Sequence, residues 1–118
     1  MRKILLPGIV LSLLALLALS IRAQAQRIPV GTLEGTVLNP HGQPVADASV
    51  TIQTSDGQHP HATYTDSRGH FQFTRFETGQ YDLRAYAGGH FSKWDRRVML
   101  RHSKKPTLVT LYLLPSGR

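Results

Sequence analysis

The chain predicts an all-β fold, a seven-stranded antiparallel β-sandwich of the transthyretin-like or immunoglobulin-like Greek-key type. Three observations carry this expectation. From Val30 onward, β-branched and aromatic residues recur in short alternating runs, the period of half-buried strands. Gly, Pro, Asn and Asp punctuate those runs at regular intervals, as turns require. No stretch holds the 3.6-residue apolar period of a helix.

The strands follow in order. Thr32 to Leu38 (TLEGTVL) places Leu33, Gly35 and Val37 on one face. Asn39 to Pro44 is a turn in which Asn39 bonds backbone and Gly42 takes positive φ. Ala48 to Thr54 (ASVTIQT) points Ala48, Val50 and Ile52 inward. Ser55 to Pro60 is an exposed loop marked by Asp56-Gly57. Ala62 to Thr65 and His70 to Arg75 form a hairpin around Asp66-Ser67-Arg68-Gly69, with Asp66 accepting from the turn amides and Gly69 in a left-handed conformation. Phe71 and Phe73 face the core, and Phe76 plugs the sandwich end. Gly79-Gln80 opens the strand Tyr81 to Ala87, with Tyr81, Leu83 and Ala85 inward, and Gly88-Gly89 closes it. Arg96 to Arg101 contributes Val98 and Leu100; Thr107 to Leu114 contributes Val109, Leu111 and Leu113.

Upstream of these strands the sequence has a different character. Arg2 and Lys3 precede a charge-free run, Ile9 to Leu19, and Ala23-Gln24-Ala25 supplies small residues at the minus-three and minus-one positions. This is the pattern of a secretory signal peptide cleaved after Ala25, leaving 26–118 as the domain. The run falls short of the ~20 residues of a membrane-spanning helix, so the chain is not expected to be transmembrane. Export implies a periplasmic or extracellular location.

Of the 118 residues, 14 are Lys or Arg and 7 Asp or Glu, a net charge of +7. Without Arg2, Lys3 and Arg22 the remaining 93 residues carry 11 basic and 7 acidic side chains, a net charge of +4. With no cysteine, disulfides, thiol nucleophiles, Cys-ligated metals and a lipobox anchor are excluded. A domain of this size buries roughly 60 to 70% of its unfolded surface, enough for one modest core.

Five sequence elements resemble a known family in their order and spacing. They are Gly35-Thr36-Val37; Gly42-Gln43-Pro44-Val45-Ala46-Asp47-Ala48-Ser49-Val50; Thr65-Asp66-Ser67-Arg68-Gly69-His70-Phe71-Gln72-Phe73; Gly79-Gln80-Tyr81-Asp82-Leu83; and Gly89-His90-Phe91. Together they resemble the carboxypeptidase regulatory-like domain, over about Leu33 to Leu113. The resemblance implies a transthyretin-like (prealbumin-type) sandwich, grouped with carbohydrate-binding-like folds. In that family the module is usually an accessory to zinc carboxypeptidases, to TonB-dependent receptors or to surface proteins. Every matched position has a turn or core explanation, so the likeness specifies fold rather than chemistry.

Catalysis is not expected. No His has Glu three residues later, so the zinc carboxypeptidase pairing is missing, and the chain ends Leu114-Pro115-Ser116-Gly117-Arg118 rather than in the Tyr-Arg-Gly-Ser motif of related hydrolases. Phosphate loops and nucleophile elbows do not occur. Glu34 and Glu77 are the only glutamates, which gives little basis for a paired acid and base. A Lys–Asn isopeptide lock is equally unsupported, since the single Asn, Asn39, lies in a turn and the first strand holds no Lys. No cofactor is called for.

Two binding patterns stand out. His59 and His61 sit two apart, so an extended backbone sends both imidazoles to one side, a weak Cu, Ni or Zn geometry needing a third ligand such as His41 or Asp56. The plainer reading is a polar loop rich in His. The second pattern is Lys93 to Lys105, where Lys93, Arg96, Arg97, Arg101, Lys104, Lys105 and a protonatable His102 surround Trp94. Alternation puts Arg97, Met99 and Arg101 opposite Val98 and Leu100, a basic stripe suited to acidic or phosphorylated glycans, with Phe91 and Trp94 as stacking surface. Read without a ligand, the same stripe is an edge strand guarded by charge. Export and the lack of a reading motif argue against nucleic acid. The sequence therefore points to a non-catalytic envelope module whose ligand is a glycan, through Phe91, Trp94, Arg96, Arg97 and Arg101. The alternatives are a structural or protein-interaction module related to the N-terminal domains of TonB-dependent receptors, pairing through an exposed edge strand, and an envelope metal-binding protein using His59 and His61.

Overall fold

A computed structural model describes residues 27–115; the expected signal peptide lies outside the described residues. Eight strands are present: β1 (Val30–Leu38), β2 (Ser49–Thr54), β3 (His61–Tyr64), β4 (His70–Glu77), β5 (Gly79–Ala87), β6 (His90–Phe91), β7 (Asp95–Leu100) and β8 (Thr107–Tyr112). They form two facing sheets, one ordered β4-β1-β8 and the other β3-β2-β5-β6, with β7 also paired to β5. The all-β sandwich expected from the alternating pattern is what forms.

Three details differ from the sequence expectation. The strands flanking Asp66 to Gly69, expected to pair as a hairpin, do not: β3 pairs with β2 in one sheet and β4 with β1 in the other, so this tight turn carries the chain across from sheet to sheet. Gly88 and Gly89, expected to close a strand, instead join β5 to β6: both have positive φ, at 56° and 81°, and Ala87 pairs with His90 across them. That is a two-residue hairpin turn needing positive φ at both positions, and it creates the eighth strand. The pairing is also not wholly antiparallel, because β1 and β8 run parallel from Leu33↔Thr107 to Leu38↔Tyr112. Parallel neighbours need a long crossover, and here the connection is the whole of β2 to β7.

The core lies between the sheets and takes alternate residues of each strand. Leu33 and Val37 of β1, Val50 and Ile52 of β2, and Leu83 and Ala85 of β5 are fully buried. Val109 and Leu111 of β8 close the opposite side, and Ala48 is buried just ahead of β2. Phe71 and Phe73 pack edge to face at 6.0 Å, and Phe76 joins them at 5.3 Å from Phe73. Strict alternation would turn Phe76 outward. A register shift between Gly31 and Leu33 corrects its parity, with Arg75 in a left-handed conformation (φ 58°) as the extra residue.

The turns follow the sequence closely. Asn39 Oδ1 accepts the N–H groups of His41 and Gln43, both at 2.9 Å. Asp66 Oδ1 accepts those of Arg68 at 2.8 Å and His70 at 3.0 Å. Gly69 has φ 77°, and a Cβ there would lie 3.0 Å from Val37 O and Val45 N, so both conformation and space demand glycine.

Candidate ligand-binding hollow

Because Tyr81, Leu83 and Ala85 point inward, the intervening Asp82, Arg84 and Tyr86 of β5 project from the outer face of the larger sheet. The short β6 lies beside them, with Phe91 paired to Tyr86 and the two rings 4.6 Å apart. Beyond β6, Ser92 is buried and does the work of a ladder residue. Its Oγ accepts the Ala85 N–H at 2.8 Å and donates to Lys93 O at 2.9 Å, while its own N–H donates to Ala85 O at 2.9 Å. This fixes the exit of the chain so that Trp94 stands beside Phe91 and over Arg84.

The guanidinium of Arg84 occupies the space between the two rings, 4.3 Å from the Phe91 centroid and 4.6 Å from that of Trp94, within cation–π range of both. A hollow of about 610 Å³ opens at this cluster, lined by Arg84, Phe91, Ser92, Lys93, Trp94, Arg96 and Leu114. Leu114 is held there by its N–H to Phe91 O at 2.8 Å and its C=O to His90 Nδ1 at 3.0 Å. On its other side Trp94 borders a second hollow of about 490 Å³ with Asp95, Thr110 and Tyr112.

All three charged residues lining the larger hollow are cationic. Arg96 alone has a partner, Asp82, at 3.4 Å, and this is the one salt bridge among the described residues. Asp82 is 3% exposed, and its remaining bonds come from the Ser55 hydroxyl and the Arg97 N–H, each at 2.9 Å. The positive charge of Arg84 and Lys93 therefore goes uncompensated.

Of the residues read from sequence, Phe91, Trp94 and Arg96 meet in this hollow, whereas Arg97 and Arg101 do not line it. Arg97 is the extra residue of a bulge opposite Asp82, yet Arg97, Met99 and Arg101 are exposed while Val98 and Leu100 turn inward, as alternation predicts. Arg101 follows the far end of β7, roughly 20 Å along the strand from Trp94. The basic stripe therefore stands outside the hollow. The surface between Phe91 and Trp94, expected to stack a sugar, instead holds Arg84. Sequence reasoning passed over Arg84 because an outward Arg in an alternating strand looks like any solvated strand residue.

The histidine pair sits elsewhere. His59 has φ 51°, so the backbone is not extended there and the premise of two imidazoles sent to one side fails. His59 and His61 nonetheless border a common hollow of about 400 Å³ with Arg75, Phe76 and Glu77, and His61 packs edge to face on Phe76 at 5.2 Å. Neither proposed third ligand is available. His41 lies in the turn before β2 and His59 in the loop after it, at opposite ends of the strand. Asp56 accepts from Thr54 Oγ1 and from the Gln58 N–H; the Thr54 hydroxyl foremost holds its carboxyl below the ordinary value. Among the described residues no three metal-ligating side chains come together.

Sheet order, register and this cationic–aromatic hollow define a small two-sheet β-sandwich domain. The sequence model of the carboxypeptidase regulatory-like domain matches residues 32–113, and the chain belongs to that family. No curated protein matches the chain. Among solved structures, a candidate carbohydrate-binding protein of Bacteroides uniformis superposes with TM-score 0.57 at 13% identity, over 74% of this chain and 42% of that one. A streptococcal ancillary pilin gives 0.51 at 16% identity, over 75% and 30%. A DUF3823 family protein of Parabacteroides merdae gives 0.51 at 20% identity, over 75% and 48%. The chain thus spans less than half the length of each, and at these identities the likeness is one of fold.

Proposed function

We infer that this domain is an exported, non-catalytic module of the cell envelope that binds carbohydrate in the hollow beside Trp94. The observation that carries the reading is the hollow itself: half-buried Phe91 and Trp94 beside three cations, an apolar wall and a polar rim together. Membership of a regulatory-like family and the fold shared with a candidate carbohydrate-binding protein support it. Family membership also supports the absence of catalysis. Export rests on the N-terminal sequence pattern.

The test is binding of the exported domain to envelope polysaccharides. Retention on such a polysaccharide, lost in Trp94→Ala, is the expected outcome; no retention on any polysaccharide at low salt overturns the reading.

One observation favours a second reading, a protein-interaction module. β8 is an edge strand of its sheet. The Leu113 N–H donates to Leu38 O on the β1 side, and the Leu114 N–H to Phe91 O on the other. By alternation, Leu108 and Thr110 direct their backbone groups away from β1, ahead of the Ser92↔Leu113 bridge that covers the end of the edge, and Thr110 lies along the hollow that Trp94 borders. An extended segment of a partner adds naturally to such an edge. Co-purification of a protein partner from the native envelope, abolished by Thr110→Pro, distinguishes this reading from the glycan one.

A further inference from the structure

We propose that the hollow selects carboxylate-bearing sugars, uronates, and that Arg84 is the residue that recognises the carboxylate. The inference rests on the carbohydrate reading and adds its chemical class.

The geometry of Arg84 argues for it. The centroids of Phe91 and Trp94 lie 4.3 Å and 4.6 Å from its guanidinium carbon, a cation–π hold that uses none of its N–H groups as donors to an acceptor atom. No carboxylate of the described residues lies within ion-pair distance of Arg84, since the one salt bridge joins Arg96 to Asp82. No buried side-chain donor lacks a partner, so unpaired N–H groups of Arg84 open to solvent. The fork is oriented in advance, partly desolvated and un-neutralised, and the two parallel N–H bonds it offers match a carboxylate.

The surroundings select the carrier of that carboxylate. Trp94 and Leu114 supply apolar wall to the hollow, against which the C–H face of a sugar ring packs. Lys93 and Arg96 reach in from the rim and are exposed, where charge adds attraction but little orientation. One fixed guanidinium with apolar wall beside it fits a single negative charge borne on a ring. A doubly charged phosphate would call for several fixed cations.

The test compares polygalacturonate, the same polymer methyl-esterified, neutral dextran and dextran sulfate, at ~0.15 M salt, where weak surface attraction is screened. Binding is read by calorimetry and by the emission of Trp94, the single tryptophan. Polygalacturonate is expected to bind, and esterification or Arg84→Gln to weaken it by about tenfold or more, the scale of one charge-assisted pair. Arg84→Lys, which keeps the charge but not the fork, is expected to restore little. The esterification arm alters no residue, so it is independent of any effect on folding. Equal binding of the esterified polymer or of dextran, or unchanged binding by Arg84→Gln, overturns the carboxylate assignment while leaving a Trp94-dependent sugar site standing. Equal binding of dextran sulfate shows attraction to charge alone and also overturns it. No binding of any of these polymers overturns the uronate assignment, while the carbohydrate reading is decided separately by the envelope polysaccharides.

Discussion

The carboxylate of Asp82 accepts the backbone N–H of Arg97 at 2.9 Å, across a bulge in which Arg97 takes φ 57°. Between Tyr81↔Val98 and Leu83↔Asp95, Arg96 and Arg97 together oppose Asp82. An extra residue in a ladder leaves backbone unpaired, and Asp82 meets that need with a side chain. The bulge in turn covers Asp82 and keeps Val98 and Leu100 on the inward face. Replacing Asp82 with Ala deprives both the Arg97 N–H and the Ser55 hydroxyl of their acceptor. A loss of about 2 kcal/mol is expected from orphaned donors of this kind, read as a lower urea midpoint at unchanged slope.

Arg97 itself stands in a conformation that disfavours side chains. For an L-residue the left-handed region costs about 1–2 kcal/mol, whereas glycine enters it freely. Arg97→Gly is expected to fall within about 1 kcal/mol of the parent, because relief of strain is offset by the greater freedom of the unfolded chain. Arg97→Val, β-branched at the same φ, is expected to be less stable than both. Thermal unfolding of the three proteins gives the order; a valine variant as stable as the glycine one means the bulge has been lost.

What was legible in the sequence follows from physics that is local. Alternation placed Leu33, Val50, Leu83 and Leu111 in the core because burial there depends on each strand's own period. Asn39 and Asp66 announced their turns because the bonds their side chains make span no more than four residues. Bulges leave no such mark. Nothing in the run from Arg96 to Arg101 shows that Asp82, 15 residues from Arg97, holds a bulge there. The hollow was half legible for the same reason. Phe91, Trp94 and Arg96 are near in sequence, while Arg84 joins them only through the β5–β6 hairpin.

Gly35 gives a sharper test of the sandwich. Its place in β1 is inward, and a Cβ there would lie 2.3 Å from Phe71 Cζ and 2.4 Å from the Val109 carbonyl oxygen. The ring has some freedom to retreat, but the carbonyl belongs to the paired strand β8 and has little. Gly35→Ala is therefore expected to destabilise by about 3 kcal/mol, at the upper end of overpacking effects, despite the usual gain from replacing glycine in a strand. A combined Gly35→Ala, Phe71→Leu protein relieves the ring contact alone, and its recovery by less than half locates the strain in the backbone. Chemical denaturation measures both; a neutral Gly35→Ala would mean that the β1–β8 pairing is looser than drawn.

Acid tests the turn between β3 and β4, where the chain crosses from one sheet to the other. The N–H groups of His70 and then Arg68 hold the Asp66 carboxyl below its ordinary value of 3.8, against a smaller opposing effect of desolvation. A carboxyl whose folded value is depressed binds fewer protons folded than unfolded in that window, so stability falls as pH falls. Its contribution is fully present above 3.8 and is lost as pH drops through the lower, folded-state value. Asp66→Asn keeps an acceptor oxygen for both amides but has no charge to lose. The stability difference between the parent and this variant, compared near neutrality and at pH about 2.5, is therefore expected to shrink in acid. Carboxyl resonances of the parent should show Asp66 titrating below 3.8. A difference that holds constant across the window would mean that the two amides bind charged and neutral forms alike, and that the carboxylate's charge adds nothing to the turn.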